Sequence, residues 1–344
     1  MPFLNPAGVA GLEIDEGEAR AVELRGDRRA PVVAAWGRTE IPEGAVLEGT
    51  VVRPEAVAEA LEKLWSTSGI NARDVALGVA NQGVVIRFAT MPKVPENRLP
   101  KLIRYQAQDY LPFPLNEVVL DYAVVGERSG ENGPLLDILM VAARRDMLNG
   151  FLDVLAAAGL RARIIDASPL ALARIRRDED NEGGAIARVD IGNGLSYIVL
   201  TVKGTPRFAR LMPVSLRDAA RVCGCSPADI VPKVEEKMPT GDGDRHSNPL
   251  RAWCESLAGE IRSSIGYYVA QPGALNIERV LLSGRGARLV GLPGRLEESL
   301  GLSVDILRPL EGMAVQNGTG GPDITYEAPD FAVCLGLALR GLAG

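Results

Sequence analysis

The chain has 344 residues, of which 47% are hydrophobic and 24% are charged, and its formal net charge is −6. This length allows two or more domains, and this composition is typical of a globular rather than a disordered protein. The acidic balance argues against general affinity for nucleic acid, whose binding depends on neutralising phosphates.

The first ninety residues predict strands around one helix. The stretch GLEIDEGEARAVEL, residues 11–24, predicts a hairpin with a short glycine-containing turn, and PVVAAWGRTEI predicts a third strand. Pro54 opens a helix over residues 55–66, whose apolar residues recur on one buried face. The segments DVALGVA and GVVIRFATMP follow as further strands.

Residues 91–160 predict a compact α+β unit. A helix stopped by Pro112 and Pro114 precedes the alternating strand VVLDYAVV and the polar turn GERSGENG. The apolar strand LLDILMVAA and a helix over residues 145–158 complete the unit. RARIIDASPLALARIRR then predicts a strand and a helix with Ser168 as its N-cap.

The second half of the chain repeats the opening pattern. VDIGNGLSYIVL predicts the same strand–turn–strand device as GLEIDEGEARAVEL. After it come the helical segment SPADIVPKVEEKM, the polar loop GDGDRHSN and a long amphipathic helix that begins at Pro249. The strand and turn of ERVLLSGRGARLVGL and the apolar helix FAVCLGLALRGL close the chain.

This duplication predicts two related α/β lobes, and a ligand site between two such lobes is common. We expect the first lobe to comprise residues 1–90 and 161–185, and the second to comprise residues 186–344. The second lobe would include a helical subdomain near residues 215–250. Residues 91–160 would be a subdomain inserted in the first lobe.

Targeting signals are lacking in the sequence. No stretch is long and apolar enough to cross a bilayer, since the most apolar helical run, GFLDVLAAAGL, is short and contains Asp153. The N-terminus, MPFLNPAGVAG, has no basic region of the kind found in secretory signals. We therefore expect a cytoplasmic location.

The cysteines and the one histidine give no sign of a zinc site. The cysteines are Cys223, Cys225, Cys254 and Cys334. They include one C-x-C pair but no second pair, and His246 is the sole histidine, whereas structural zinc requires four ligands at recognisable spacing. We expect small buried thiols in a reducing compartment.

The turn of VDIGNG is a candidate phosphate site. Asp190 ends a predicted buried strand and could hold a hydrated Mg²⁺ through its carboxylate. Gly192 and Gly194 lack Cβ atoms, so that backbone N–H groups around Asn193 could approach phosphate oxygens. An ordinary β-turn that uses glycine for positive φ explains the motif equally well.

Two further segments are candidates for contacts with a nucleotide. In LLSGRGARLVGL, the turn with Ser283, Gly284 and Gly286 could present N–H groups or pass flat against a base or ribose, although an ordinary strand-to-helix loop is the alternative. On the long helix, Glu260 and Ser264 could meet a ribose, although a solvated helix face is the more common explanation for such residues. No nucleophile motif and no Walker A loop is present, so the sequence indicates no catalytic residue.

In combination these segments resemble the PilM family, actin-like proteins of type IV pilus assembly that are related to FtsA. The resemblance covers nearly the whole chain. The segments that carry it are GLEI and ARAVEL, LPFPLNEVVLDYAVVG, RIIDASPLALAR, VDIGNG, GTPRFARLMPV, EIRSSIGYY, LLSGRGARLVGL and FAVCLGLALRGL. LPFPLNEVVLDY is the most discriminating of them, because actin-like proteins at large do not share it.

The resemblance implies a two-lobed actin-like α/β fold, with RNase H-like sheets and an FtsA-type α+β subdomain inserted in the first lobe. It also implies that ATP, with Mg²⁺, lies between the lobes. The cytoplasmic N-terminal tail of the inner-membrane protein PilN would dock in a groove on the first lobe, to which residues 91–115 could contribute. Other platform or motor components of the pilus machinery are further expected partners.

The first hairpin departs from the family's pattern, which reads approximately G-L-D-I-G-S-x-S-x-K. Glu13 replaces the aspartate, Asp15 replaces the glycine, and Arg20 stands where the lysine is expected as a phosphate ligand. Glu16 and Glu18 replace the two serines. Carboxylates beside a triphosphate add repulsion of several kcal/mol in a site of low dielectric constant.

The second lobe departs from the pattern less. Ser263 stands where the family's helix usually has an arginine, and Ser215 and Leu216 replace an expected glycine pair. The retained positions are Asp190, Gly192, Gly194, Ser283, Gly284 and Gly286. One phosphate hairpin is thus kept and the other is lost.

The leading hypothesis is a PilM-like scaffold with weak or absent ATP hydrolysis. A working ATPase or small-molecule kinase of the same fold is the first alternative, but a kinase should keep the first phosphate hairpin. The second alternative is the cytoplasmic part of a GspL-like type II secretion protein, which usually continues into a transmembrane segment.

Overall fold

The computed structural model describes residues 8–131, 133–175, 183–233, 249–316 and 324–342. Within these residues the strands are β1 (Ala10–Asp15), β2 (Glu18–Gly26), β3 (Pro31–Glu40), β4 (Val46–Leu47), β5 (Thr50–Val51), β6 (Asp74–Val79), β7 (Val84–Pro92), β8 (Val118–Gly130), β9 (Gly133–Arg144), β10 (Arg161–Ala167), β11 (Ala185–Ile191), β12 (Ser196–Val202), β13 (Thr205–Met212), β14 (Ile277–Ser283), β15 (Ser303–Ile306) and β16 (Ala314–Val315).

The helices of the same ranges are α1 (Pro54–Ser68), α2 (Leu99–Tyr110), α3 (Arg145–Ala157), α4 (Ser168–Leu172), α5 (Leu216–Val222), α6 (Pro227–Lys233), α7 (Pro249–Val269), α8 (Leu292–Leu300), α9 (Ile324–Glu327) and α10 (Ala332–Gly341). The polar loop GDGDRHSN with His246 lies outside the described residues, as does part of the segment near residues 215–250 where a helical subdomain is expected.

Two sheets of the molecule share one topology. The first has the strand order β10-β6-β1-β2-β3, with β16 added beside β3, and the second has the order β15-β14-β11-β12-β13. In each sheet a three-stranded antiparallel meander is followed by two strands parallel to its first strand. The duplication that the two hairpin motifs predict is therefore a duplication of whole sheets.

The first strand of each meander lies in the middle of its sheet. All of β11 is buried, and β1 is buried except at its last residue, as expected for strands covered on both faces. The turn from β1 to β2 consists of Glu16 and Gly17, and Gly17 has a φ of +75°. Two-residue hairpin turns require positive φ, for which glycine is suited.

Helix α10 lies in the centre of the molecule. The sequence places it in the second lobe, residues 186–344, but it packs on β1, β2 and β6 of the first sheet and on α4. A helix that is apolar all round must be covered on all sides, and a position between two lobes satisfies this. Glycines permit the close approach: a Cβ on Gly11 would lie 1.9 Å from the Cys334 carbonyl oxygen, and one on Gly336 would lie 2.0 Å from that of Ala171.

A third sheet, ordered β7-β9-β8, forms the extra subdomain together with α2. Side chains of α2, β7 and β9 make a small core that includes Met91, Ile103 and Ile138. The sheet begins at Val84, before the expected boundary at residue 91, and β8 continues to Gly130, into the expected polar turn.

Helix α3 belongs by its packing to the first lobe. The sequence assigns it to the inserted unit, residues 91–160, but it packs against α1 and its Phe151 and Leu155 are buried in the core of the first sheet. An amphipathic helix buries its apolar face wherever an apolar surface is available, and α1 supplies that surface here.

Candidate functional site between the two hairpin turns

The turn after β1 faces the turn after β11 across the gap between the lobes. The backbone N–H groups of Asn193 and Gly194 donate hydrogen bonds to the Asp15 carboxylate, at 2.7 and 3.2 Å. The side-chain amide of Asn193 donates to the backbone carbonyl of Glu16 at 3.0 Å. The N–H groups that the sequence offers to a phosphate therefore bind a carboxylate of the same chain.

The approach of the two turns is close enough to require glycine. A Cβ on Gly192 would lie 3.0 Å from Asp15 Oδ2, and a Cβ on Gly194 would lie 2.4 Å from Glu16 Cδ. A side chain at Gly194 would thus collide with Glu16, which Arg217 and the N–H of Glu48 hold from other sides. Because Gly192 and Gly194 have no Cβ atoms, the acids of the first turn can approach the second turn.

Arg20 lies fully buried among the acids of its own hairpin. Its guanidinium is 3.0 Å from Glu13 Oε2, 3.5 Å from Glu18 Oε1 and 3.7 Å from Asp15 Oδ2. Burial by itself lowers the pKa of Arg20, but the three carboxylates outweigh it and raise that pKa above its ordinary value. Arg20 compensates buried negative charge rather than presenting its guanidinium to the cavity.

Burial also raises the pKa values of the carboxyl groups in this cluster. The pKa of Glu13 rises to about 8, because burial and the nearby acids Asp190 and Asp15 outweigh Arg20 and a hydrogen bond from Tyr197. Burial raises the pKa of Asp190 to about 6 and raises that of Asp15 above its usual range. These groups hold protons more firmly in the folded protein than in water.

Glu16 and Glu18 each form an ion pair with an arginine of the second lobe. Arg217 of α5 forms an ion pair with Glu16. Arg285, in the turn after β14, pairs with Glu18 at 3.0 Å, and Arg38 of β3 lies 3.4 Å from the same carboxylate oxygen. Arg38 also binds acids near the start of α10 and is shared among several partners.

The sequence points to Asp190 and to the turn after β14, and the structure brings them together. The Ser283 hydroxyl donates to Asp190 Oδ2 at 2.7 Å, and both residues are buried. A Cβ on Gly284 would lie 2.6 Å from the Ile191 carbonyl oxygen, and one on Gly286 would lie 2.3 Å from Ile191 Cγ2. The two glycines thus let this turn pack directly on the end of β11.

Glu260 and Ser264 lie apart from this cluster. Arg210 of β13 donates to the Ser264 hydroxyl at 2.8 Å and to the Glu260 carboxylate at 2.7 Å. Neither residue is among the described residues that line the cavity between the lobes. In this arrangement the pair holds α7 to β13.

The cavity between the lobes has a volume of about 1060 Å³. Its walls include Glu16, Glu18 and Arg38 from the first lobe, and Asn193, Arg217 and Arg285 from the second. In this conformation the surroundings do not fit a triphosphate, since the arginines already pair with carboxylates and the N–H groups already bind Asp15. A negatively charged ligand would have to displace these contacts.

The sequence singled out neither Arg217 nor Arg285 as a functional residue. Arg217 stands in the first turn of α5, within the Ser215–Asp218 capping box at the helix start. Arg285 is the variable residue of the S-G-x-G turn. Both residues lie within recognisable local motifs, but these motifs do not indicate a partner. The packing of the two lobes places both arginines opposite the acids of the first hairpin.

Metal centres and membrane helices are absent from the part of the chain that the structure describes. No group of three or more histidine, cysteine or acidic side chains there could hold a metal ion. No helix among the described residues is long and apolar enough to cross a membrane. Cys254 and Cys334 are buried, as expected, whereas Cys223 is exposed and Cys225 is half-buried.

Comparison with solved structures places this geometry in context. The PilM–PilN type IV pilus biogenesis complex contains a chain that is 28% identical, with a TM-score of 0.82, over 97% of this chain and 98% of that one. The ethanolamine utilization protein EutJ from Carboxydothermus hydrogenoformans matches with 18% identity and a TM-score of 0.53, over 98% of this chain and 90% of that chain. Ta0583, an archaeal actin homolog in complex with ADP, matches with 14% identity and a TM-score of 0.47, over 98% of this chain and 100% of that chain.

The family comparison agrees with the structural one. The model of the type IV pilus assembly protein PilM matches residues 11–211 and 228–342, which include both hairpin turns. The expected two-lobed actin-like α/β fold is confirmed. The chain belongs to the PilM family of type IV pilus assembly proteins.

Proposed function

We propose that this chain is a scaffold of type IV pilus assembly that binds the cytoplasmic N-terminal tail of a PilN-like inner-membrane protein. The observation that carries the proposal is the match to a chain of the PilM–PilN complex over 97% of this chain at 28% identity. Through this partner, the chain would be held at the inner face of the cell membrane. Other platform or motor components would then assemble on it.

The first lobe and its extra subdomain offer a surface for such a tail. Helix α2 buries Leu99, Ile103 and Ala107 in the subdomain core, while Tyr105 on its other side is 74% exposed. Exposed aromatic side chains are frequent anchors of protein–protein contacts. Tyr105 lies within residues 91–115, so this region remains our candidate for part of the docking surface.

The proposal includes weak or absent binding of ATP. It is supported by the acids of the first hairpin, because Asp15 occupies the N–H groups of Asn193 and Gly194. Asp190, Ser283 and the glycines of the second lobe remain candidate ligands only if the first hairpin moves away. Two alternatives remain: an active ATPase or kinase, and a GspL-like secretion component. If the measurements below do not give the expected results, these alternatives are favoured.

The partner is tested with a fluorescent peptide that carries the cytoplasmic N-terminal residues of a PilN-like protein from the same organism. Fluorescence anisotropy should show saturable binding, and Tyr105→Ala should weaken it about tenfold, as expected for an aromatic anchor. The matched control is Tyr267→Ala, because Tyr267 is also exposed but lies on α7 of the second lobe. Absence of binding at low and moderate salt would contradict the proposed partner.

ATP binding is tested separately by calorimetric titration with ATP and Mg²⁺. We expect affinity much weaker than micromolar and no steady turnover. Tight binding with turnover would favour the ATPase alternative and contradict the nucleotide-free scaffold.

A further inference from the structure

We infer that the acids of the first hairpin form an internal latch, in which side chains of one lobe bind the other lobe where a nucleotide would otherwise join them. The latch comprises Glu13, Asp15, Glu16 and Glu18. The inference deepens the proposed function and rests on the proposed absence of ATP from the cleft. In this inference, the four acids hold the two lobes together and do not bind a nucleotide.

Each acid of the latch has a partner in the second lobe. Asp15 accepts hydrogen bonds from two backbone N–H groups of the turn after β11. Glu13 accepts a hydrogen bond of 3.3 Å from the Tyr197 hydroxyl. Glu16 pairs with Arg217, and Glu18 pairs with Arg285. All four acids of the hairpin thus meet a donor on the opposite lobe, and three of them also lie within 4 Å of Arg20 in their own hairpin.

The chemistry of the Asp15 contact imitates a bound phosphate. Two successive N–H groups of a glycine-rich turn form a concave anion site, and a carboxylate supplies two acceptor oxygens to it. Hydrogen bonds to an ionised acceptor are roughly twice as strong as those between neutral groups. Asp15 is therefore a ligand that the chain itself provides.

The position of the latch lets it control the separation of the lobes. At the base of the cleft the two sheets share one apolar core, in which α10 and α4 lie between side chains of both sheets. The tips of the two hairpin turns line the cavity, with Glu16 and Gly17 on one side and Asn193 on the other. Contacts across a cleft whose base is fixed determine how far its mouth opens.

With the latch, side chains of the protein itself keep the cleft between the lobes closed, so that closure does not require a ligand. Glu16 and Glu18 are buried and Asp15 is half-buried, so salt screens their contacts less than it screens those of exposed charges. The docking surface on the first lobe would then be presented in one conformation whether or not nucleotide is available.

The test measures the distance between the lobes in the whole chain. Spin labels are attached to Cys223, which is exposed on the second lobe, and to Lys63→Cys on α1, in a background with Cys225→Ser; the other two cysteines are buried. Double electron–electron resonance should give a narrow distribution that Mg²⁺ and ATP leave unchanged. In Asp15→Asn, which keeps the shape but removes the charge, the distribution should broaden towards longer distances.

The matched control is Asp153→Asn, an exposed acid on α3 outside the cleft, which should leave the distribution unchanged. If Asp15→Asn gives the same distribution as the unaltered protein, the latch is contradicted. This result is independent of whether the PilN-like peptide binds, so that failure of the latch and failure of the proposed function remain distinguishable.

A second measurement uses the unaltered protein and does not depend on the folding of a variant. The amide protons of Asn193 and Gly194 should exchange with solvent at least about 100-fold more slowly than that of Gly17, after correction for intrinsic rates. Gly17 is exposed at the tip of the first turn and serves as the internal reference. Equal exchange rates would overturn the inference.

Discussion

The two hairpin turns occupy equivalent places in sheets of the same topology, yet they present opposite chemistry. The turn after β11 offers the backbone N–H groups of Asn193 and Gly194, while the turn after β1 offers carboxylates to them. In a site for one phosphate chain, both turns would present donors to the ligand. Here the two copies share one sheet topology, and the carboxylates of one turn are complementary to the N–H groups of the other.

The largest expected effect on stability comes from removing the buried cation of the first hairpin. Arg20→Met leaves the carboxylates of Glu13, Asp15 and Glu18 without their shared partner. We expect a loss of about 3–5 kcal/mol in the free energy of unfolding, as for other broken buried ion pairs. Urea denaturation measures this loss.

The control for that change is Arg161→Met, since Arg161 pairs with Asp74 but its side chain is 76% exposed. Exposed pairs contribute at most about 1 kcal/mol. If Arg20→Met were as mild as the control, the acids would be compensated in some other way.

The protonation of Glu13 gives the second test. Because its pKa is raised to about 8 in the folded state, its contribution to stability is present at low pH and is lost as pH rises through that value. Each pH unit between the unfolded and folded pKa values changes the free energy of unfolding by about 1.4 kcal/mol. We therefore expect the free energy of unfolding to fall from about pH 5 to about pH 7, by up to roughly 3 kcal/mol from this group.

Glu13→Gln should remove most of that slope, because a neutral amide can still accept the hydrogen bond from Tyr197. Asp190 and Asp15, whose pKa values are also raised, account for the slope that remains. Glu62→Gln, at an exposed position of α1, is the control. An unchanged slope in Glu13→Gln would mean that Glu13 is ionised in the folded protein.

The approach of the two turns gives a third, smaller effect. In Gly194→Ala the new methyl group collides with Glu16, and we expect destabilisation of about 2 kcal/mol, as for other overpacked sites. Glu16→Ala should relieve the collision, so the double variant should be less destabilised than the sum of the single changes. Strict additivity, measured by denaturation of all three variants, would show that the turns do not touch.

The smallest effect is a gain of function. Replacing the acids of the first turn by residues that the family pattern expects, in Asp15→Gly with Glu16→Ser and Glu18→Ser, removes the carboxylates from the phosphate position. We expect the affinity for ATP with Mg²⁺ to rise at least about tenfold, equivalent to about 1.4 kcal/mol. A variant that is folded but gains no affinity would show that more than the acidic turn excludes the nucleotide.

The sequence predicted what local patterns determine. The duplicated hairpins, Gly17 in a tight turn and the amphipathic helices follow from residue spacing and backbone preference. The acids at Asp15, Glu16 and Glu18 raised doubt about a phosphate site, but their partners Arg217 and Arg285 come from elements far away in the chain.

The same limit explains the position of α10. Its continuous apolar sequence indicates that it is buried, but periodicity does not reveal which sheet covers it. It packs on the first sheet, where Gly11 permits its close approach, and on α4, where Gly336 does. Glu260 and Ser264 illustrate the opposite case, because their spacing on α7 is compatible with a ligand and their contacts are to Arg210.

The most direct test of the account is to titrate the PilN-like peptide into the unaltered protein, once without nucleotide and once with a millimolar concentration of ATP and Mg²⁺. A scaffold closed by its own acids should bind the peptide with the same affinity in both titrations. Binding that occurs only with ATP, or that ATP strengthens tenfold or more, would contradict the account.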